Sequence, residues 1–139
     1  MKYTGVLNWE QIGTEPLYDD SANPVLLVID STDRPLVAYV NNDNRLSVKR
    51  WNGTDWELIG DADFAKTDGT AIDLIVNAQD QPLVAFINWD DNKVMVKQWN
   101  GSTWETLGTG GISEGEAEHI CLTVTKNNKP IIAYKDKFN

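Results

Sequence analysis

The feature that most constrains the fold is a segment that occurs twice along the chain. It reads RWNGTDWELIG over residues 50–60 and QWNGSTWETLG over residues 98–108, and a shorter version occupies residues 8–13. Similarity at a fixed spacing is typical of repeat architectures, in which each unit is one supersecondary element that needs its neighbours to bury a core. The chain is therefore predicted to consist of successive copies of one small unit.

Four further anchor positions recur with spacings of 47 and 48 residues. They are Trp9, Trp56 and Trp104; Gly13, Gly60 and Gly108; Pro35, Pro82 and Pro130; and Ala38, Ala85 and Ala133. The one additional residue falls where the segment 41–44 becomes 88–92. Insertions are tolerated at exposed loop tips, so this segment is predicted to be a turn.

Each unit predicts four short strands, which we name A to D. Strands A and B are almost continuously apolar and β-branched, which is typical of strands buried on both faces. Strand A is predicted at 25–29, 72–76 and 120–124, strand B at 36–40, 83–87 and 131–134, strand C at 46–51 and 94–99, and strand D at 56–59 and 104–107. No segment has sustained helical periodicity, so the chain is predicted to be all-β.

The C–D connections carry Asn-Gly, which supplies the positive φ angles of tight hairpins at little steric cost. Asn52-Gly53-Thr54 and Asn100-Gly101-Ser102 also match the glycosylation sequon, and we interpret both as turn chemistry. The recurring aromatic, glycine and proline residues are interpreted as structural parts of each unit rather than as sugar-stacking platforms. They are Trp9, Trp51, Trp56, Trp99, Trp104, Gly13, Gly60, Gly108, Pro35, Pro82 and Pro130.

Four strands every 47 or 48 residues, marked by Trp and Gly, are typical of β-propeller blades. The Trp-x-x-x-Gly runs, the segment GISEGEA at 111–117 and the segment KPIIAY at 129–134 resemble the propeller repeats of many bacterial surface proteins. In that family a P-x-V-A-Y block is followed by a W-N-G-x-x-W-x-x-x-G block. The chain is more loosely similar to propeller lectins of the tachylectin type. The resemblance implies four-stranded blades, and its motifs specify blade structure rather than chemistry.

The repeat divides one domain, residues 1–139, into unequal parts. Residues 1–13 correspond to strand D with a stub of C, 25–60 and 72–108 to two blades, and 120–139 to strands A and B of a last blade. Because propellers typically have about four to eight blades, about three blades are too few to close. We expect a second chain to complete a six-bladed, two-fold symmetric homodimer. The alternative is a fragment of a longer propeller, left with open sheet edges.

Composition excludes several function classes. The net charge of −9 argues against binding nucleic acid or anionic lipid. No apolar run approaches the roughly 20 residues of a membrane span, and the N-terminus has no signal-peptide pattern, although proteins with the resembling repeats are often found at bacterial surfaces. Cys121 is the single cysteine, and its apolar neighbours predict a buried small hydrophobe.

Acidic residues concentrate in the D–A and B–C loops, which share one face in propellers. The predicted loops are 14–23, 61–70, 109–118, 41–45 and 88–93, and they hold Glu15, Asp19, Asp20, Asp43, Asp61, Asp63, Asp68, Asp90, Asp91, Glu114, Glu116 and Glu118 against Arg45, Lys66 and Lys93. A solvated loop face and a site for a cationic ligand are both consistent with this pattern. Neither Asp61-x-Asp63 nor Asp90-Asp91 has the spacing of a calcium loop, so no metal or cofactor is predicted.

Trp89 has no repeat counterpart and lies at a predicted loop tip. An exposed, non-repeated tryptophan is a candidate ligand or interface contact, and packing over a neighbouring loop is the alternative. The candidate ligand-binding residues are therefore Trp89, Asp90, Asp91, Asp61 and Asp63.

No catalytic constellation is visible in the sequence. His119 is the single histidine, and no serine or cysteine is placed as a nucleophile beside a base. The first hypothesis is a non-enzymatic binding or scaffold module for a glycan, a peptide or a partner protein. The second is a structural propeller fragment without a ligand, and the third is a glycosidase-like enzyme, which only fold analogy supports.

Overall fold

The computed structural model describes residues 1–5, 8–17 and 23–138 of the chain. The described residues form twelve strands and no helix, so the protein is all-β, as predicted. The strands are β1 (Lys2–Tyr3), β2 (Trp9–Glu10), β3 (Val25–Ile29), β4 (Pro35–Val40), β5 (Arg45–Trp51), β6 (Trp56–Leu58), β7 (Ala65–Val76), β8 (Pro82–Asn88), β9 (Val94–Trp99), β10 (Trp104–Thr106), β11 (Ala117–Val124) and β12 (Pro130–Asp136). Within these ranges there is accordingly no helix long and apolar enough to cross a membrane.

The strands pair antiparallel in chain order to give four groups. Strands β3 to β6 form the first meander and β7 to β10 the second meander, and a short antiparallel ladder between β5 and β7 joins the two into one sheet. The N-terminal hairpin is β1–β2, and the C-terminal pair is β11–β12. Among the described residues no sheet closes on itself.

The predicted strands are confirmed in type, order and approximate bounds, with two extensions. Strand β7 begins at Ala65 rather than at residue 72, and β11 begins at Ala117 rather than at residue 120. Parts of two segments predicted as loops are therefore strand, and polar residues precede the apolar run in both cases. His119 lies inside β11 at a bulge with a φ of 50°.

The main core lies between the two meanders. The side of the first meander that faces the second meander carries Leu36, Ala38 and Val40 on β4. These residues pack against Val84 and Phe86 of the second meander. Every residue of β4 is buried, and so are six of the seven residues of β8. The predicted burial on both faces is confirmed for these two strands because each lies between neighbouring strands and under packed side chains.

A second junction joins the second meander to the C-terminal pair. Leu83, Ala85 and Val96 of the second meander pack with Leu122 of β11, and the backbone N–H of Leu122 donates a 2.6 Å hydrogen bond to Asp73 Oδ2. The C-terminal pair therefore presents one face to the second meander. Its other face has no described sheet against it.

The prediction of two-face burial is wrong for β3 and β12. Val25, Leu27 and Ile29 of β3 are exposed, with Leu27 at 62%, and Ile131 of β12 is 53% exposed. Each strand has a packed face and an uncovered face, because no described sheet lies beyond the first meander on one side or beyond the C-terminal pair on the other.

The prediction that Cys121 is buried is also wrong. Cys121 is a free, exposed thiol on β11, although Ile120 and Leu122 on either side of it are apolar. Successive side chains of a strand point to opposite faces, so Cys121 points away from the second meander while Leu122 points toward it.

The Asn-Gly turns form as predicted. Gly53 and Gly101 have φ angles of 105° and 102°. The Asn52 side-chain oxygen accepts hydrogen bonds from the backbone N–H groups of Thr54 and Asp55, and Asn100 does the same in the second meander. The asparagine side chains are therefore engaged in closing their own turns.

Candidate ligand-binding site

A groove of about 250 Å³ opens beside the junction of the two meanders. Its walls combine aromatic rings with short polar side chains and one charge of each sign. The lining residues are Gly60, Asp61, Phe64, Lys97, Trp99, Ser102, Thr103 and Trp104.

The second meander positions the aromatic wall of the groove. Trp99 and Trp104 are direct cross-strand partners on β9 and β10, with ring centroids 5.8 Å apart and planes tilted by 55°. Phe64, in the connection between the meanders, stacks on Trp104 at 4.3 Å with an angle of 9° between the planes. The Trp104 indole N–H donates a 2.8 Å hydrogen bond to the Ile59 carbonyl oxygen, which anchors the ring against the first meander.

Close approach of the rings to the backbone requires glycine at position 60. A Cβ atom on Gly60 would lie 2.6 Å from the Trp99 ring and 3.0 Å from the Trp104 ring. Gly60 also has a φ of 72°, in the region that favours glycine. The glycine of the repeated Trp-x-x-x-Gly segment is therefore required because the tryptophan rings of the next unit pack directly on its backbone.

The polar side of the groove offers donors and acceptors near the rings. Lys97 Nζ donates a 3.0 Å hydrogen bond to Thr106 Oγ1, and the exposed residues Asp61, Ser102 and Thr103 add a carboxylate and two hydroxyl groups. A groove with apolar ring surface and a few polar groups can hold a small polar ligand that has an apolar face.

Of the five predicted ligand residues, the structure brings only Asp61 to this groove. The Asp63 carboxylate instead accepts hydrogen bonds from Asn41 Nδ2 at 3.1 Å and from Ser47 Oγ at 3.3 Å, and the Asp63 backbone N–H donates to Ser47 Oγ. Asp63 thereby ties the connection between the meanders to the β4–β5 turn.

The other three predicted residues lie together in the β8–β9 turn. Asp91 Oδ1 accepts a 2.7 Å hydrogen bond from Asn88 Nδ2, which holds the Asp91 pKa below its usual value. Asp90 is exposed in the same turn. Trp89 is 42% exposed, and Lys66 Nζ lies 4.2 Å from the centroid of its ring. Trp89 therefore contacts β7 and still presents surface to solvent, and its role as a ligand or interface contact stays a prediction.

Seven of the eight lining residues were not predicted as ligand contacts from sequence. Gly60, Trp99 and Trp104 were interpreted as structural, and no role was given to Phe64, Lys97, Ser102 and Thr103. Phe64 was the one with a usable signal, since an aromatic residue in an otherwise polar connection needs a partner. The others occupy ordinary strand and turn positions, and only the distance between units identifies them.

A second hollow of about 190 Å³ lies at the loop end of the C-terminal pair, lined by Asp68, Thr70, Asn92, Ala117, Glu118, His119 and Lys137. Lysine side chains neutralise acids beside it, because Lys135 pairs with Glu118 and Lys137 pairs with Glu116. The hydrogen bond and charge of Lys135 hold the pKa of Glu118 below its usual value, and Glu116 raises that of Lys137.

The acidic residues form no metal centre in the described part of the chain. No group of three or more His, Cys, Asp or Glu side chains within residues 1–5, 8–17 and 23–138 is arranged to hold an ion. Asp19 and Asp20, two of the predicted loop acids, lie outside the described residues.

Comparison with known proteins leaves the function to be argued from these contacts. No protein-family model matches the chain, and no curated protein matches it at a significant level.

Proposed function

We propose that this chain is a non-enzymatic β-propeller module for binding or scaffolding, and that two copies complete one six-bladed ring. The observation that carries the proposal is the pair of uncovered sheet faces at opposite sides of the chain. Each uncovered face corresponds, in the sequence repeat, to a face that is buried at one of the two internal junctions.

The correspondence can be followed residue by residue. Exposed Leu27 and Ile29 of β3 correspond to Leu122 and Val124 of β11, and Leu122 is 4% exposed against the second meander. Exposed Ile131 of β12 corresponds to Leu36 of β4, which is fully buried. Burying such apolar surface stabilises an assembly by about 25 cal/mol per Å², so these two faces are suited to contact each other in an oligomer.

We further propose a carbohydrate as the ligand class of the aromatic groove. Pyranose rings combine an apolar face with hydroxyl groups, and the groove offers the rings of Phe64 and Trp104 beside Lys97, Ser102 and Thr103. A protein ligand is the alternative, and the exposed Trp89 with its acidic neighbours is the surface that would favour it.

Light scattering behind size exclusion across a concentration series tests the assembly. We expect a species at twice the chain mass of 15.6 kDa that dissociates on dilution. A chain that stays monomeric at high concentration would contradict ring completion by a second copy.

A glycan array followed by calorimetry tests the ligand class. Binding should weaken about tenfold or more in Lys97→Ala and Phe64→Ala, while Trp89→Ala, on the β8–β9 turn, serves as the matched control. Loss of binding in Trp89→Ala alone would move the site to that turn. Absence of binding to any glycan, in a properly assembled protein, would favour a scaffold without a carbohydrate ligand.

A further inference from the structure

The packing of tryptophan on glycine occurs between successive units of the chain, and it is incomplete at Trp9 and at Gly108 among the described residues. We infer that Trp9 of one copy docks over Gly108 of a second copy and donates its indole N–H to the Leu107 carbonyl oxygen there. This inference rests on the proposed two-chain ring and specifies the residues that join it.

The contact exists twice within one chain. Trp56 Nε1 donates to the Ile12 carbonyl oxygen at 3.4 Å, and Gly13 lies against the Trp51 and Trp56 rings. Trp104 Nε1 donates to the Ile59 carbonyl oxygen at 2.8 Å, with Gly60 against the Trp99 and Trp104 rings. In both cases an aromatic pair of one unit covers the glycine that ends strand D of the preceding unit.

The third glycine of this series has no ring over it. Gly108 has a φ of 92°, like the other two, but no atom beyond its chain neighbours in the described residues lies within 4 Å of where its Cβ would be. Leu107 directly precedes Gly108, as Ile12 precedes Gly13 and Ile59 precedes Gly60. The carbonyl acceptor and the ring-sized space are therefore both present at this end of the second meander.

The N-terminal hairpin carries an aromatic pair of matching geometry that packs on no glycine among the described residues. Tyr3 and Trp9 are cross-strand partners with ring centroids 5.9 Å apart and planes tilted by 54°. The corresponding values are 5.6 Å and 59° for Trp51 and Trp56. Trp9 is nevertheless 65% exposed and Tyr3 54% exposed. Within one chain this pair does not reach Gly108, so a second copy is the occupant that supplies both halves of the contact.

A second repeated contact adds charge complementarity at the neighbouring junction, between the C-terminal pair of one copy and the first meander of the second copy. Asp80 in the β7–β8 turn accepts hydrogen bonds from the backbone N–H and hydroxyl of Ser31, and Asn128 Oδ1 accepts from the backbone N–H of Ala78 in the same way. At the open junction the repeat aligns Asp33 with Asp80 and Lys126 with Ser31. An Asp33 carboxylate therefore meets a Lys126 backbone donor and ammonium group across the two copies.

The sheet faces that would meet at this neighbouring junction are apolar, and they correspond to the two faces that pack on each other between the meanders. The face of the C-terminal pair that points outward carries Cys121, Thr123, Ile131 and Ala133, and the face of β3 that points outward carries Val25, Leu27 and Ile29. At the internal junctions the equivalent positions pack on each other. One docking geometry thus satisfies the ring contact, the turn contact and the sheet contact together.

Two single variants with matched controls test the docking. Trp9→Ala removes the donor, and Gly108→Ala places a methyl group where the ring would sit. Each should raise the dissociation constant of the dimer about tenfold or more by analytical ultracentrifugation. Leu58→Ala removes an exposed apolar side chain of β6 that lies outside the proposed contacts, and Gly101→Ala imposes the same positive-φ strain at a φ of 102° with open space around it. Both controls should associate like the parent chain.

Mixing the two defective variants makes the test specific. A heterodimer of Trp9→Ala with Gly108→Ala contains one junction in which an intact Trp9 meets an intact Gly108. Native mass spectrometry of an equal mixture should therefore show heterodimer well above the roughly one half of all dimers that random association gives. A statistical mixture, or parent-like association of both single variants, would overturn the docking while leaving a two-chain ring intact. A parent chain that is monomeric would instead overturn the ring itself.

Discussion

The junction between the two meanders and the two open sides of the chain are built from the same kinds of residues and differ only in whether a neighbour is present. At the junction Leu36 and Phe86 are buried and Trp104 covers Gly60. At the open sides Ile131 and Leu27 are exposed, and at the end of the second meander Gly108 has no ring over it among the described residues. Each unit therefore contributes one half of a contact on each of its two sides. Its apolar side chains become buried only where a neighbouring unit supplies the other half.

The largest effect on stability is expected from removing a large side chain from the packed junction between the two meanders. Phe86→Ala removes a side chain that is 2% exposed in the main core and should lower the free energy of unfolding by about 3–5 kcal/mol. Leu27→Ala, on the uncovered face of β3, should change it by less than about 0.5 kcal/mol at concentrations where the chain is monomeric. Urea unfolding at low protein concentration measures both. Equal losses of unfolding free energy in the two variants would contradict the burial of Phe86 between the meanders and the exposure of Leu27 on β3.

A smaller loss is expected from the buried carboxylate beneath the β3–β4 turn. Asp30 accepts hydrogen bonds from Thr32 and from the Arg34 backbone and side chain, and its side chain is fully buried. Asp30→Ala leaves these donors and the nearby Arg50, 3.6 Å away, without their acceptor and should cost about 1–3 kcal/mol. Asp30→Asn should cost less, because Asn77 closes the equivalent turn of the second meander.

The same carboxylate predicts a pH dependence. Burial alone would raise the pKa of Asp30, but the hydrogen bonds from Thr32 and Arg34 outweigh it and hold the pKa below its ordinary value of 3.8. The stabilisation is therefore complete above that value and is lost as the pH falls through the folded-state pKa. Asp30→Asn should remove this part of the acid destabilisation, as followed by unfolding at pH 7 and pH 3. An unchanged acid profile would contradict the role given to Asp30.

Gly60, which is covered by rings, and its counterpart Gly108, which has no neighbouring atom within 4 Å among the described residues, should respond differently to a methyl group. Gly60→Ala adds overpacking against Trp99 and Trp104 to the strain of a positive φ, so about 1–3 kcal/mol is expected beyond the strain. Gly108→Ala, measured in the monomeric chain, meets open space and should show only the strain, about 1 kcal/mol. Thermal unfolding of the two variants gives the difference directly, and a difference near zero would count against ring contact at Gly60.

The smallest effect concerns the contact between turns. The Ser31 hydroxyl and backbone hold the pKa of Asp80 below its ordinary value. Ser31→Ala removes the hydroxyl donor while keeping the backbone donor, so the Asp80 pKa should rise part of the way back. A carbon-detected NMR titration of the Asp80 carboxyl group measures this, with Thr32→Ala as a neighbouring control that does not contact Asp80. An unchanged Asp80 pKa would mean that the Ser31 hydroxyl does not bind the Asp80 carboxylate.

The strands were predictable because their signals are local. The continuous apolar run of 25–29, the alternation of 94–99, the prolines before strand B and the Asn-Gly turns all act within a few residues, and the bounds of β3 and β9 match the prediction. The early starts of β7 and β11 were not predictable, because they depend on pairing with residues distant in sequence. The start of β7 pairs with Arg45 and Leu46 of β5, and the start of β11 pairs with Lys135 and Asp136 of β12.

The candidate site was much less predictable. Acidic loop residues were singled out by charge, yet Asp63 and Asp91 are engaged in turn hydrogen bonds, and only Asp61 lines the groove. The groove itself depends on Phe64 stacking on Trp104 across two units, a distance that spacing in sequence does not encode.

The sequence by itself determined an all-β chain of recurring antiparallel units with tight turns, because propensity, alternation and turn chemistry are properties of neighbouring residues. The tertiary structure alone decided which face of each strand is covered. Cys121 and Leu122 are adjacent in one apolar run, yet one is exposed and the other is 4% exposed, because burial depends on whether another sheet lies opposite, and that is a property of packing.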